Sequence, residues 1–156
     1  FHEFGHNAQD PRWTFDGTGE VTCNLFSLYL GERMAGIEPW QNPWLENQKA
    51  KLAPHLAAGA PFDAWKRDPG LALLLFALVQ RDFGWAPYQE ALASYTPDVR
   101  MADDLAERDG WLLRLSRATE RDLGPYFQAM GVPTSAEARA EVAHFEPWLP
   151  PEARTD

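Results

Sequence analysis

The residues best equipped for chemistry stand at the start of the chain, where His2-Glu3-Phe4-Gly5-His6 forms an HExxH motif. On an α-helix, positions i and i+4 share a face one turn apart, so both imidazoles can reach a single metal ion. Glu3 falls on the neighbouring edge of that face, placed to hold a water beside the metal rather than the metal itself. A zinc ion acidifies such a water and polarises a carbonyl. Glu3 would then accept the water's proton and pass it to a leaving amine. Three fixed positions also occur on ordinary solvated helices, so the motif alone leaves a structural reading open.

Two histidines and a water leave room for a third protein ligand. Glu20 is the best-placed acid, because it opens a second helical pattern after a turn-rich loop that can fold one helix back on the other. Asp16, in the loop, and Glu32, at the far end of that helix, are the alternatives. Asn24 lies one turn beyond Glu20 on the same face, where it can hydrogen-bond the outer nitrogen of a ligand histidine and fix its tautomer. Cys23 also follows Glu20 closely, although a lone cysteine is more often a small buried hydrophobe. Asn7 and Gln9 line a substrate cleft or cap the first helix. Trp13 and Trp40 flank the metal-bearing segments and are candidates for stacking on a substrate, against the alternative of stapling loops to the core. His55, His144, Tyr88, Tyr95 and Tyr126 are candidates for stabilising an oxyanion, and nothing in the sequence selects among them.

The elements that must position these groups read as helices. The first should end near Gln9, because Asp10-Pro11 disfavours a helical residue before proline. The second runs from about Gly19 to Ala35, with Val21, Leu25, Leu28 and Tyr29 at three- and four-residue spacing. Residues 37 to 44 read as loop, and residues 45 to 58 as a helix interrupted by Pro54. Asp68 and Pro69 make a start signal and Gly84 a stop. The residues between are apolar on nearly every side, so this helix should lie at the centre of the core. Further helices are expected over 87–95, 105–119 and 125–130, and from a Thr134/Glu137 capping box to about His144. The fold class is therefore mainly α, with no sheet of its own. Residues 1–146 should form a single helical unit carrying HExxH and Glu20, followed by a proline-rich tail or linker over 147–156.

At 156 residues, 45% of them hydrophobic, the chain is long enough to bury a core. The net charge of −9 offers no basic patch for a phosphate backbone, which argues against a nucleic-acid partner. The longest apolar run, residues 71 to 79, is too short to cross a bilayer, so no transmembrane segment is expected. With one cysteine no internal disulfide can form. The chain begins on Phe1 rather than methionine, which suggests a piece of a longer protein whose targeting signal would lie elsewhere.

Two segments resemble the enhancin-type, mucin-directed metallopeptidases, the M-sixty peptidases: His2-Glu3-Phe4-Gly5-His6-Asn7-Ala8-Gln9 and the run from Gly19 through Glu20, Asn24 and Ser27 to Tyr29. The family's pattern is HExGHNxQ followed by a glutamate ligand within a GEVTxNLFSLY-like stretch. Asp82-Phe83-Gly84-Trp85 and residues 111 to 132 are also similar, so the likeness runs from Phe1 to about Val132. It implies a gluzincin with zinc on His2, His6 and Glu20 and with Glu3 as general base. It further implies the helical C-terminal part of a zincin-like catalytic domain, whose upstream, β-containing half would be needed for tight zinc retention and activity. Members are secreted or surface-attached and cleave O-glycosylated, mucin-like glycoproteins. Cys23 departs from the family, which often has asparagine there. Gly5 inside a helix costs roughly 1 kcal/mol relative to alanine, and sequence alone gives no reason for it.

Overall fold

A computed structural model describes residues 1–154, and the molecule is mainly helical. Helix α1 (His2–Ala8) stops at Gln9, whose ψ of 149° turns the chain extended ahead of Pro11. After a short 3-10 turn over Pro11–Trp13, α2 (Gly19–Ala35) runs until Gly36 takes the left-handed conformation at φ 67° and closes the last turn onto Glu32.

The helix expected over 45–58 is two helices, α3 (Pro43–Lys49) and α4 (Leu52–Ala57). Pro54 does not interrupt a helix. It sits in the first turn of α4, where a missing N–H leaves no intrahelical bond unmade. Pro43 likewise begins α3, with the Asn42 side chain accepting from the N–H groups of Trp44 and Leu45. One turn, α5 (Phe62–Trp65), carries no sequence signal strong enough to have been anticipated.

Asp68 caps α6 (Pro69–Phe83) by accepting from Leu71 N–H at 3.0 Å. Every residue of α6 from Gly70 to Gln80 is buried. A helix that is apolar all round has to be surrounded, and α2, α3, α5 and α7 (Ala86–Ala93) surround it. Beyond α7 come α8 (Asp104–Thr119), α9 (Gly124–Ala129) and α10 (Ala136–Val142). Trp111 of α8 meets Phe76 edge-on, with ring centres 5.1 Å apart. Ser135, not Thr134, caps α10, accepting from Ala138 N–H at 3.1 Å.

A sheet absent from the sequence reading exists in minimal form. β1 (Arg121–Asp122) and β2 (Glu146–Pro147) pair in parallel, Arg121 opposite Glu146. Residues 147–154, part of the stretch 147–156 expected to fray or act as a linker, pack on the helices. Trp148 N–H donates to Asp122 O at 3.0 Å, and its ring meets Tyr126 edge-on at 4.7 Å. Arg81 holds Glu152, and Ala153 is buried. A tryptophan and a strand bridge supply the apolar contact that a count of prolines and charges conceals. Thr155 and Asp156 lie outside the described residues.

Candidate metal centre

The backbone of α1 crosses that of α2 at Gly5. A Cβ at this position would sit 2.2 Å from Cys23 O and 2.8 Å from Cys23 Cα. Only glycine allows that approach, which accounts for a residue that weakens the helix locally. The crossing brings the inner face of α1 against the first turn of α2, where Glu20 is held.

At this corner His2 Nε2 and His6 Nε2 are 3.2 Å apart. Glu20 Oε2 is 3.2 Å from the first and 3.7 Å from the second. The outer nitrogens are both engaged. Asn24 Nδ2 donates to Glu20 O at 2.7 Å, which turns its Oδ1 toward His2 Nδ1 at 2.9 Å. Gln9 Nε2 donates to Gly19 O and to Thr22 Oγ1, each at 2.6 Å, which turns its Oε1 toward His6 Nδ1 at 2.8 Å. Each Nδ1 therefore carries the proton, a tautomer inferred from this network. Each Nε2 presents a lone pair.

On that tautomer two lone pairs and a carboxylate oxygen converge, an arrangement that a cation at its centre would satisfy. Ligands about 2.0–2.1 Å from a tetrahedral ion stand about 3.3 Å from one another, and the three separations here bracket that length. The donor set thus fits a divalent ion of borderline softness, with a position left for water or substrate. His2, His6, Glu20 and Cys23 form a group able to hold a metal, their potential ligand atoms all within 4.8 Å of one another. Cys23 Sγ, however, approaches His2 at Nδ1 (3.8 Å), the nitrogen committed to Asn24. Burial, and then the charge of Glu20, push its thiol up to about 11. It packs as a neutral group beneath the crossing.

Glu3 is exposed on α1 and makes no hydrogen bond among the described residues, so its carboxylate is unencumbered. Asn7 is exposed as well. Beside His2 and Glu20 opens a groove of about 440 Å³ bounded by Asn24, Trp44 and Pro69. It adjoins a smaller hollow of about 250 Å³ floored by Leu28 and Leu73.

Several other candidates are occupied elsewhere. Asp16 pairs with Lys66 at 2.8 Å, and Glu32 accepts from the Trp85 indole. Trp13 packs on Tyr95, and Trp40 lies between the Lys49 and Arg81 cations. The tryptophan that lines the groove is the half-exposed Trp44, which the sequence places beside a loop but ranks below Trp13 and Trp40 as a stacking candidate. Tyr88 and Tyr126 donate their hydroxyls to Phe76 O and Leu75 O of the core, and burial raises both phenols well above their ordinary range. Tyr95 is pushed up to about 12, chiefly by burial. His55 is buried against Met130 O, and His144 bonds within its own helix end. None of these five is directed at the corner. Gln9 is the residue whose place differs most from expectation: it faces His6 and α2. The i, i+3 spacing from His6 and the reach of a glutamine were the signals available.

The chain belongs to the Peptidase M60, enhancin and enhancin-like family, whose model matches residues 1–131. It is similar to TRPM8 channel-associated factor 2 of Bos taurus, 34% identical over 152 residues, and to TRPM8 channel-associated factor 3 of Rattus norvegicus, 32% identical over 154. Each match takes in 94% of this chain and 16% of the relative, so the chain spans about a sixth of those proteins. Its fold is shared with the crystal structure of a functionally unknown conserved protein from Bacillus anthracis str. Ames. That match has a TM-score of 0.80 at 19% identity and covers 97% of this chain and 32% of the other.

Proposed function

We propose that the chain is the metal-binding part of a zinc-dependent endopeptidase, with His2, His6 and Glu20 as ligands and Glu3 as general base. The observation that carries this reading is the convergence of His2 Nε2, His6 Nε2 and Glu20 Oε2 within 3.2–3.7 Å, with each Nδ1 facing an amide oxygen on the outer side. When bound, zinc supplies Lewis acidity for a scissile carbonyl and for the attacking water. Glu3 takes a proton from that water on a carboxylate oxygen and delivers it to the leaving amine nitrogen. Asn24 and Gln9 hold the imidazoles so that Nε2 faces inward. The groove along Trp44 receives the polypeptide on one side of the reacting bond. The proposed substrate, an O-glycosylated, mucin-like glycoprotein, and the proposed secreted or surface location rest on the resemblance of residues 2–9 and 19–29 to the enhancin-type peptidases, and the acidic charge disfavours nucleic acid. No helix among the described residues is long and apolar enough to cross a membrane.

A second reading is favoured by the relatives, which are named for association with a TRPM8 channel. On that reading the corner holds metal for folding and the domain serves as a partner-binding module without catalysis. Glu3 separates the two, because it is neither a ligand nor packed. In the purified protein, Glu3→Gln should leave zinc stoichiometry unchanged and lower cleavage of an O-glycosylated mucin by about 10²–10⁴-fold. A parent protein that retains zinc and cleaves neither mucin nor simple peptides would decide for the binding module.

A further inference from the structure

Gln9 stands at the C-terminal end of α1 and is tied to three groups at once. Its Oε1 accepts from His6 Nδ1, while its Nε2 donates to Gly19 O and to Thr22 Oγ1. Thr22 is 1% exposed, and its hydroxyl touches none of the three converging atoms of the corner but reaches Thr18 O at 3.3 Å. Gly19 and Thr22 belong to the first turn of α2, the turn that carries Glu20.

We propose that Gln9 is a positioning residue that couples the orientation of His6 to the first turn of α2, with Thr22 as its anchor. This rests on the metal reading given above. Only an amide can do both parts of the task. A carboxylate would present oxygen to the Gly19 carbonyl, and a hydrocarbon would leave the His6 Nδ1 proton and the Gly19 carbonyl without this partner. The amide closes the loop between the two helices, ten residues apart in sequence, on the far side of the crossing from His2. Gly5 sets how closely the helices approach, and Gln9 sets how His6 faces Glu20 once they do. The protein thereby holds the His6 Nε2 lone pair inward before any ion arrives, so that metal binding need not pay to reorient the ring.

The test is a double-mutant cycle of Gln9→Met and Thr22→Val in the purified protein. Zinc affinity is read by competition with a chromophoric chelator, and the His6 tautomer by ¹⁵N NMR of the metal-free protein. Loss of a group orienting a metal ligand typically lowers affinity 10–100-fold, so Gln9→Met should fall in about that range and shift His6 from Nδ1–H toward Nε2–H. Thr22→Val, with no hydroxyl to hold the amide, should lose about 3–10-fold by the same logic and should cost nothing further in the Gln9→Met background. A Gln9→Met protein with parental affinity and an unchanged tautomer overturns the proposal. So does a Thr22→Val effect that is equal in both backgrounds. A parent that binds no zinc at all overturns the metal reading and this one with it, whereas intact binding with an insensitive Gln9 overturns this one alone.

Discussion

The corner between α1 and α2 and the core around α6 are built on opposite rules. In the core, Leu73, Leu74, Phe76 and Leu78 are fully buried and uniform in chemistry, and what matters is that their volumes fill the space. At the corner the side chains of His2, His6 and Glu20 are 40%, 33% and 59% exposed, and what matters is which atom points where. Stability and metal affinity should therefore respond to different substitutions.

The sharpest break would come from the core. Leu74→Ala should cost about 2–5 kcal/mol of stability by denaturant unfolding, yet leave the zinc affinity of the folded protein nearly unchanged. A large loss of affinity would show that the two regions are one cooperative structure. Gly5→Ala acts at the crossing itself. The added methyl meets backbone, which cannot yield as a side chain would, so overpacking should cost about 1–3 kcal/mol. Zinc affinity should fall further than metal-free stability does, as measured by chelator competition beside thermal melting. Equal losses would mean that the crossing supports the fold and nothing more specific.

The smallest effect concerns Asp68, which supports the core without touching the corner. Asp68→Ala removes the cap of α6 and should cost about 1 kcal/mol, with zinc affinity unaltered. Burial alone would raise the Asp68 carboxyl, but Lys51 at 2.8 Å and Leu71 N–H outweigh it and lower the group below its ordinary value. A depressed folded value means the stabilisation is present above the unfolded value of about 3.9 and is lost as pH falls through the lower folded one. Acid titration of the parent against Asp68→Ala should show their stabilities converging in that window. Convergence near neutrality would point to a different group.

Much of the framework was legible because its signals are local. Asp68 and Gly84 mark the ends of α6, and Asp10-Pro11 stops α1, each through the backbone preference of the residue itself. The proximity of His2 and His6 follows from helical spacing, and that of Glu20 from a loop short enough to return. What escaped was contact between segments far apart in sequence. Trp148 reaches Tyr126, and Trp40 reaches Arg81. Trp44, not Trp13 or Trp40, borders the groove. A tryptophan has the same amphipathic surface in every setting, so its neighbours assign its role.

The sequence by itself determined the helical class, the main helix ends and a pair of imidazoles on one face, since these depend on backbone geometry over a few residues. Tertiary structure alone decided that Gly5 is the contact between two backbones, that Gln9 turns toward His6, and that Asp16 and Glu32 are taken by Lys66 and Trp85. Each of those outcomes turns on a separation of a few ångströms between side chains or backbones that the chain order leaves free, and only the packing of α1 on α2 and of both on the core fixes it.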